Sequence, residues 1–423
     1  MIDIHPQAER PDFQGAPGAG RAAEPAADQG ALVIHRTSRS RRRSRRRATV
    51  VYAVISIVFV AMVGVLGVEG YHASRRVRGG FTTHRITDPA APGYEVAVLP
   101  TPVHLAALVD DSGKLVDFYV FIGGTGTRGN AVLWIVGDLA VDVEGQPLQS
   151  LYAQYSTGGM TAARAQIEKL LGLGVTDTVT LGPDQIQTMF ERVGTLTIKN
   201  PDALFAGQGA QRKEVYPSGS IKLKPADVSA YLRFKDDGEV ATNRATRASL
   251  VMDAYFPALA KVADATGPAV ATDKGADLVA TAATMASGDV GFEILPVSDK
   301  PYGVGRYFTP DRDRIATEVT KLVPFPVSAF PGQRPRVRIL SSTTDRAAPQ
   351  GAAPVAVAAG AEILVIGNSK VADVASTVVE YHDPSQEAAA GRIAKAFGVT
   401  AVASTDQTES YDVTVTLGTG YHG

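Results

Sequence analysis

The sequence predicts an α/β protein with a small α+β module at its C-terminal end, preceded by one transmembrane helix. Three observations predict it. From about residue 95, short apolar runs of strand type alternate with amphipathic helical segments. At PFPVSAFPGQRP, residues 324–335, four prolines and a glycine break the pattern, which then restarts. Upstream, an arginine run abuts an uncharged apolar stretch.

The N-terminal elements come first. Residues 1–34 are rich in Ala, Gly, Pro, Asp and Glu and hold few bulky apolar side chains. Such a segment buries too little surface to offset chain entropy, so residues 1–47 are expected to form a disordered basic cytoplasmic tail. Eight arginines stand between Arg36 and Arg47. The 21 residues from Ala48 to Val68 carry no charge. As a helix they span ~30 Å, the thickness of a bilayer's hydrocarbon core. The arginine excess on the N-terminal side predicts a cytoplasmic N-terminus and extracellular domains, with a stalk over residues 69–94. A cleaved signal peptide is the competing reading, but signal cores run only about 7–15 residues, and Gly67–Ala73 makes a poor cleavage site. Nucleic-acid binding is the other use of an arginine run; here its position against the span makes it a topology signal.

Composition narrows the chemistry. The 423 residues contain no cysteine, which removes disulfides, thiolate catalysis and cysteine metal sites. The net charge of −1 hides an asymmetry: residues 1–80 hold 13 Lys+Arg against 6 Asp+Glu, leaving 29 and 37, a net −8, for the rest. An acidic exterior does not gather polyanions by its overall field, so any phosphate site must be a local basic pocket.

The first domain is expected over residues 95–323. EVAVL, HLAALV, DFYVFI and NAVLWIV read as strands. Between the last two, Gly124, Gly126 and Gly129 match the dinucleotide-binding spacing, but a strand follows where that site needs a helix, so a hairpin loop is expected. Helices follow at MTAARAQIEKLLG, stopping at Gly172; at Pro183–Gly194; at PADVSAYLRF from Pro225; and from Ala241 through PAL. A helix over 274–286, a strand at GFEILPV and a helix over 311–322 complete the domain. After the 324–335 linker, residues 336–421 alternate strands (RVRIL, EILVIG, TVVEYH, DVTVTLG) with helices (APVAVAA, SQEAAAGRIAKAFG), a compact α+β module.

The seven histidines, at 5, 35, 72, 84, 104, 382 and 422, show no metal-ligand spacing, and neither a nucleophile elbow nor a Walker loop is present. The notable set is basic: Arg233 and Lys235, then, past an acidic turn, Arg244 and Arg247, three apart on one helix face. Such arginines could clamp a diphosphate through bidentate bonds, or be a solvated helix face. Asp117 could cap or border its strand; Asp110 and Asp111 read as residues of a DDSGK turn, Trp134 as core and Arg164 as solvent-facing.

The stretch AYLRFKDDGEVATNRATRASLVMDAY resembles the last motif of the LytR-CpsA-Psr family: Tyr-x-Arg-aromatic-Arg, an acidic turn, then Arg-x-x-Arg-Gln on a helix. Upstream, LQSLYAQYSTGGMTAARAQIEKLLG through FERVG is similar to that family's Gly-Gly, Leu-Leu-Gly and lid-helix segment, so the resemblance covers about residues 95–260. The end, RVRIL through DVTVTLGTGY, is similar to the LytR C-terminal domain, most specifically at GNSKVADVASTVVEY.

The resemblance implies an α-β-α layered domain and a cell-envelope phosphotransferase of Gram-positive bacteria. Such a protein moves a glycopolymer phosphate from polyprenyl diphosphate to peptidoglycan with Mg²⁺, and an apolar cavity holds the lipid tail. On that pattern Arg233, Arg244 and Arg247 are the catalytic arginines, Lys235 binds substrate, and Asp117 is the metal carboxylate. Partners implied are the membrane, the lipid-linked glycopolymer or peptidoglycan, and other envelope proteins, with no nucleic acid. The chain departs from the pattern at Leu115 and Gly137, where the family has arginines, at Lys235 for Arg and at Ala248 for Gln. Each lost arginine removes charge-assisted hydrogen bonds worth ~1.5–3 kcal/mol. The expectation is therefore a binding protein with reduced or no catalysis; an active Mg²⁺-dependent phosphotransferase is the alternative. Transcriptional attenuation conflicts with the predicted topology.

Overall fold

The computed structural model describes residues 86–421 apart from 124–129, 237–238, 263–268, 303–306, 344, 346 and 407–408. The predicted tail, anchor and most of the stalk lie outside these residues, as does the glycine loop after Gly123. Among the described residues no helix is long and apolar enough to cross a membrane.

The first domain is built on a five-stranded mixed sheet, in the order Val290–Ile294, Asn130–Val136, Leu115–Ile122, Val103–Val109, Asp177–Leu181. Every residue of Val103–Val109 and Asn130–Val136 is buried. Successive side chains of a strand point to opposite faces, so both faces of the sheet are covered. The near-continuous apolar runs that identified these strands have that cause. Leu115–Ile122 pairs antiparallel with both neighbours, while the two outer pairings are parallel.

The helices are Leu151–Leu171, Pro183–Glu191, Pro225–Arg233, Ala241–Leu259, Leu278–Met285 and Arg312–Leu322. Ser150 caps the first through its hydroxyl, and Gly172 ends it in the left-handed region at φ 64°. The helix expected over 274–286 starts later, at Leu278. Asp277 caps it there, and the preceding residues fold back so that Val270 N–H also donates to Asp277. Two hairpins lie between the second and third helices. Leu196–Asn200 pairs with Gly219–Leu223, and Leu204–Ala206 with Lys213–Tyr216.

The C-terminal module has its own core, around Val337, Ile339, Val379, Ile393, Val413 and Val415. Its sheet contains one strand from far upstream. The order is Glu95–Ala97, Glu362–Asn368, Arg336–Ser341, Val413–Leu417, Val378–Tyr381, Ala401–Ala403. The first strand-like run therefore joins the second domain's sheet, not the first's. Gly367 permits this approach: a Cβ there would stand 2.2 Å from the Tyr94 carbonyl oxygen. Asn368 adds side-chain bonds to the carbonyls of Pro89 and Ala91, and Arg338 pairs with Glu95.

The 324–335 segment is seated between the domains. Thr101 N–H donates to the Phe325 carbonyl, and Gly174 N–H to that of Val327. Arg334 donates to the carbonyls of Gly172 and Ala361, one in each domain.

Candidate functional site

The site forms where the end of the Pro225–Arg233 helix and the start of the Ala241–Leu259 helix face the end of the central sheet. Pro225 opens the first of these helices, where its missing N–H costs nothing. The second buries Ala245, Ala248, Val251, Met252, Tyr255 and Phe256, which fixes the direction of Arg244 and Arg247.

Each of the three arginines meets its own carboxylate. Arg244 forms a bidentate pair with Asp117, Nε to Oδ2 at 3.0 Å and Nη2 to Oδ1 at 3.1 Å. The side chains are 9% and 1% exposed. Gly137 N–H adds a third bond to Asp117, at 3.3 Å. Burial raises the Asp117 carboxyl above its usual range, with Arg244 opposing. Arg247 pairs with Glu239 and also donates to the Phe234 carbonyl, both within the turn between the helices. Arg233 donates from both terminal nitrogens to Asp111, each bond 3.2 Å. Tyr119 lies in the field of Arg244 and Arg247, and Tyr216 in that of Arg233 and Arg247; burial is the main cause of the raised pKa of both phenols. The three guanidiniums thus share one neighbourhood. Lys235 is exposed on the connecting turn.

The apolar cavity implied by the resemblance is not what opens beside Arg247. A cleft of about 490 Å³ lies there, lined by Asn200, Asp202, Asp236, Glu239, Asn243 and Thr246, with Pro201, Ala203 and Leu204. Neither Arg233 nor Arg244 reaches its lining. The inward face of the Ala241–Leu259 helix is instead filled with packed apolar side chains.

The turn residues behave as their sequence suggests. Asp110 Oδ1 accepts from Ser112 N–H, Ser112 Oγ and Lys114 N–H, and the Ser112 hydroxyl leads in lowering its pKa. Trp134 is core at 2% exposure. Arg164 is partly exposed but not free: it donates to Glu168 at 2.9 Å and to the Val175 carbonyl at 2.7 Å, clipping the next loop to its helix.

Sequence reasoning did not identify Glu239 as the partner of Arg247 or Asn200 as the polar anchor of the hairpins. Asn200 is 1% exposed, donates to the carbonyls of Asp202 and Pro217, and accepts from Tyr231 Oη at 3.0 Å. A tyrosine hydroxyl bonded to a buried amide across 31 residues leaves no local pattern in sequence.

A family model described as "LytR_cpsA_psr family" matches residues 127–317, and one described as "LytR cell envelope-related transcriptional attenuator" matches residues 334–421. The chain carries a LytR-CpsA-Psr domain. A LytR C-terminal domain follows it. Among solved structures, TagV of B. subtilis is 17% identical, covering 53% of this chain and 96% of its own, with a TM-score of 0.43. A LytR-Csp2A-Psr enzyme from Actinomyces oris is 18% identical, covering 52% and 94%, at 0.39. The family protein YwtF (TagT), solved with bound octaprenyl pyrophosphate lipid, is 14% identical, covering 57% and 93%, at 0.40. No curated protein matches the chain significantly.

Leu115 and Gly137, where the sequence resemblance expects arginines, are both tightly packed. Leu115 is 5% exposed and belongs to the core. A Cβ on Gly137 would lie 2.8 Å from the Val116 carbonyl oxygen and 3.6 Å from Leu115 Cδ2. The backbone has no room for any side chain at 137 unless the neighbouring strand shifts.

Proposed function

We propose that this chain is a membrane-anchored, extracellular cell-envelope protein. It binds polyprenyl-diphosphate-linked glycopolymer destined for peptidoglycan and has little or no turnover of its own. The observation that carries this reading is the state of the arginines. Arg244 and Arg247 are spent on internal carboxylates at depth, Leu115 is packed into the core, Gly137 leaves no space for a side chain, and Arg233 alone of the three keeps a partner open to water. Catalysis of phosphoryl transfer needs donors that strengthen at the transition state, and ion-paired buried arginines do not reorganise cheaply toward it. Binding asks less, since one planar fork can recognise a phosphate oxygen pair. The anchor at Ala48–Val68 and the cytoplasmic N-terminus belong to this proposal on their sequence pattern alone.

Both Asp117 oxygens are engaged by Arg244, so a Mg²⁺ ion held between Asp117 and a lipid diphosphate would have to displace that pair. No step is assigned to a metal.

Native mass spectrometry of the full chain in detergent tests the reading, alongside transfer of labelled glycopolymer phosphate to peptidoglycan. A co-purified prenyl diphosphate glycan with background transfer is expected. Absence of any lipid or glycan would sink the binding proposal. Transfer that is clear in the wild type and lost in a folded Arg244→Ala variant would establish the active phosphotransferase instead.

A further inference from the structure

We infer that Asp111 is a resident competitor for the anionic ligand, occupying on Arg233 the place that a phosphate takes. This deepens the diphosphate reading above and rests on it.

Arg233 is held from behind. Its Nε donates to the Ser229 carbonyl at 3.3 Å and to Ser229 Oγ at 3.1 Å, one turn earlier on the same helix. That leaves the two terminal nitrogens side by side, and Asp111 takes both with its two oxygens. Carboxylate and phosphate present the same paired acceptors to a guanidinium fork, so one can replace the other without moving the arginine.

Burial decides which pair can exchange. The Arg244–Asp117 and Arg247–Glu239 side chains are all under 10% exposed. Stripping a carboxylate from either leaves an uncompensated buried charge. Arg233 is 16% exposed and Asp111 is 78% exposed. When a ligand takes its place, Asp111 simply returns to water, and an ion pair with so exposed a partner contributes little to stability.

The position of Asp111 suits the exchange. Asp111 sits at the tip of the turn joining Val103–Val109 to Leu115–Ile122. The turn is tied by Asp110 to Ser112 and Lys114, so Asp111 is presented without needing its own bond to Arg233 for shape. Its charge both fills the fork and repels an incoming anion.

The test uses the full chain in detergent and compares wild type with Asp111→Asn by titration calorimetry. The probes are farnesyl diphosphate and inorganic diphosphate. Removing the competing charge should tighten binding roughly three- to tenfold, because an exposed pair of this kind is worth only a small free energy. The gain should vanish when Arg233→Ala is added. A gain with farnesyl diphosphate alone assigns the fork to a lipid-linked donor; a gain with both probes assigns it to the diphosphate group whatever carries it. Wild-type binding that Asp111→Asn leaves unchanged or weakens overturns the inference and leaves the diphosphate reading standing. So does a gain that persists without Arg233, since Asp111 would then act only through the general field. No binding in either protein removes the diphosphate reading, and this inference with it. Thermal melts of each variant confirm that the exposed turn tolerates the change.

Discussion

Asp117 and Arg244 form a buried pair at the end of the central sheet, and their energetics follow from burial. Two charges taken out of water gain little net stability together, but either one left alone is costly. Removing one partner, by Asp117→Ala or Arg244→Ala, is expected to destabilise the domain by ~3–5 kcal/mol in urea unfolding. The double substitution should cost clearly less than the two singles added. Strict additivity would mean that the pair does not hold together in solution. The same logic explains why Arg233 differs from its neighbours: chemistry is shared by all three arginines, and solvent access is not.

At the scale of elements, His104 marks the seam between two strands. It stands on Val103–Val109 opposite Asp177 of Asp177–Leu181. Asp177 in turn accepts from Thr272 Oγ1 at 2.5 Å and from Lys274 N–H at 3.0 Å, pinning the following loop to the sheet. His104 Nδ1 is buried with no hydrogen-bond partner among the described residues. Burial is the main cause of its lowered pKa; Asp177 and Asp273 pull it up, and Lys274 pushes it down. The unfolded chain therefore takes up the proton first as pH falls. Stability from the neutral ring is fully present above the ordinary imidazole value of 6.5 and is lost as pH drops below it. Thermal midpoints measured at descending pH from about 7.5 to about 5 should decline in the wild type. His104→Gln should flatten that decline, and an equal slope in both proteins would assign the pH sensitivity elsewhere.

Across the whole molecule, the described chain is tied together at both ends of its first domain. The incoming segment supplies a strand to the C-terminal sheet, and the outgoing segment is hydrogen-bonded to both domains. The C-terminal module is thus clasped by residues 93–98 before the first domain's sheet begins. Gly367→Val should expel that strand, since its Cβ would meet the Tyr94 carbonyl. Faster amide exchange over residues 94–98 and a lower melting temperature are expected. Unchanged protection there would show that the strand tolerates the side chain.

The sequence by itself determined most of the elements and their order. Continuous apolar runs marked strands covered on both faces, Pro183 and Pro225 marked two helix starts, and the proline-rich break marked the change of domain, while the hairpin strands over residues 196–223 and the helix start at Leu151 carried no comparable pattern. It also singled out Arg233, Arg244 and Arg247 as candidates, by residue type and spacing. Tertiary structure alone decided their state. Whether a guanidinium is free or spent depends on carboxylates up to 127 residues away, as with Arg244 and Asp117, and no local pattern encodes that pairing. It likewise decided that Glu95–Ala97 serves the distant domain, because a strand's apolar alternation sets its face but not its partner.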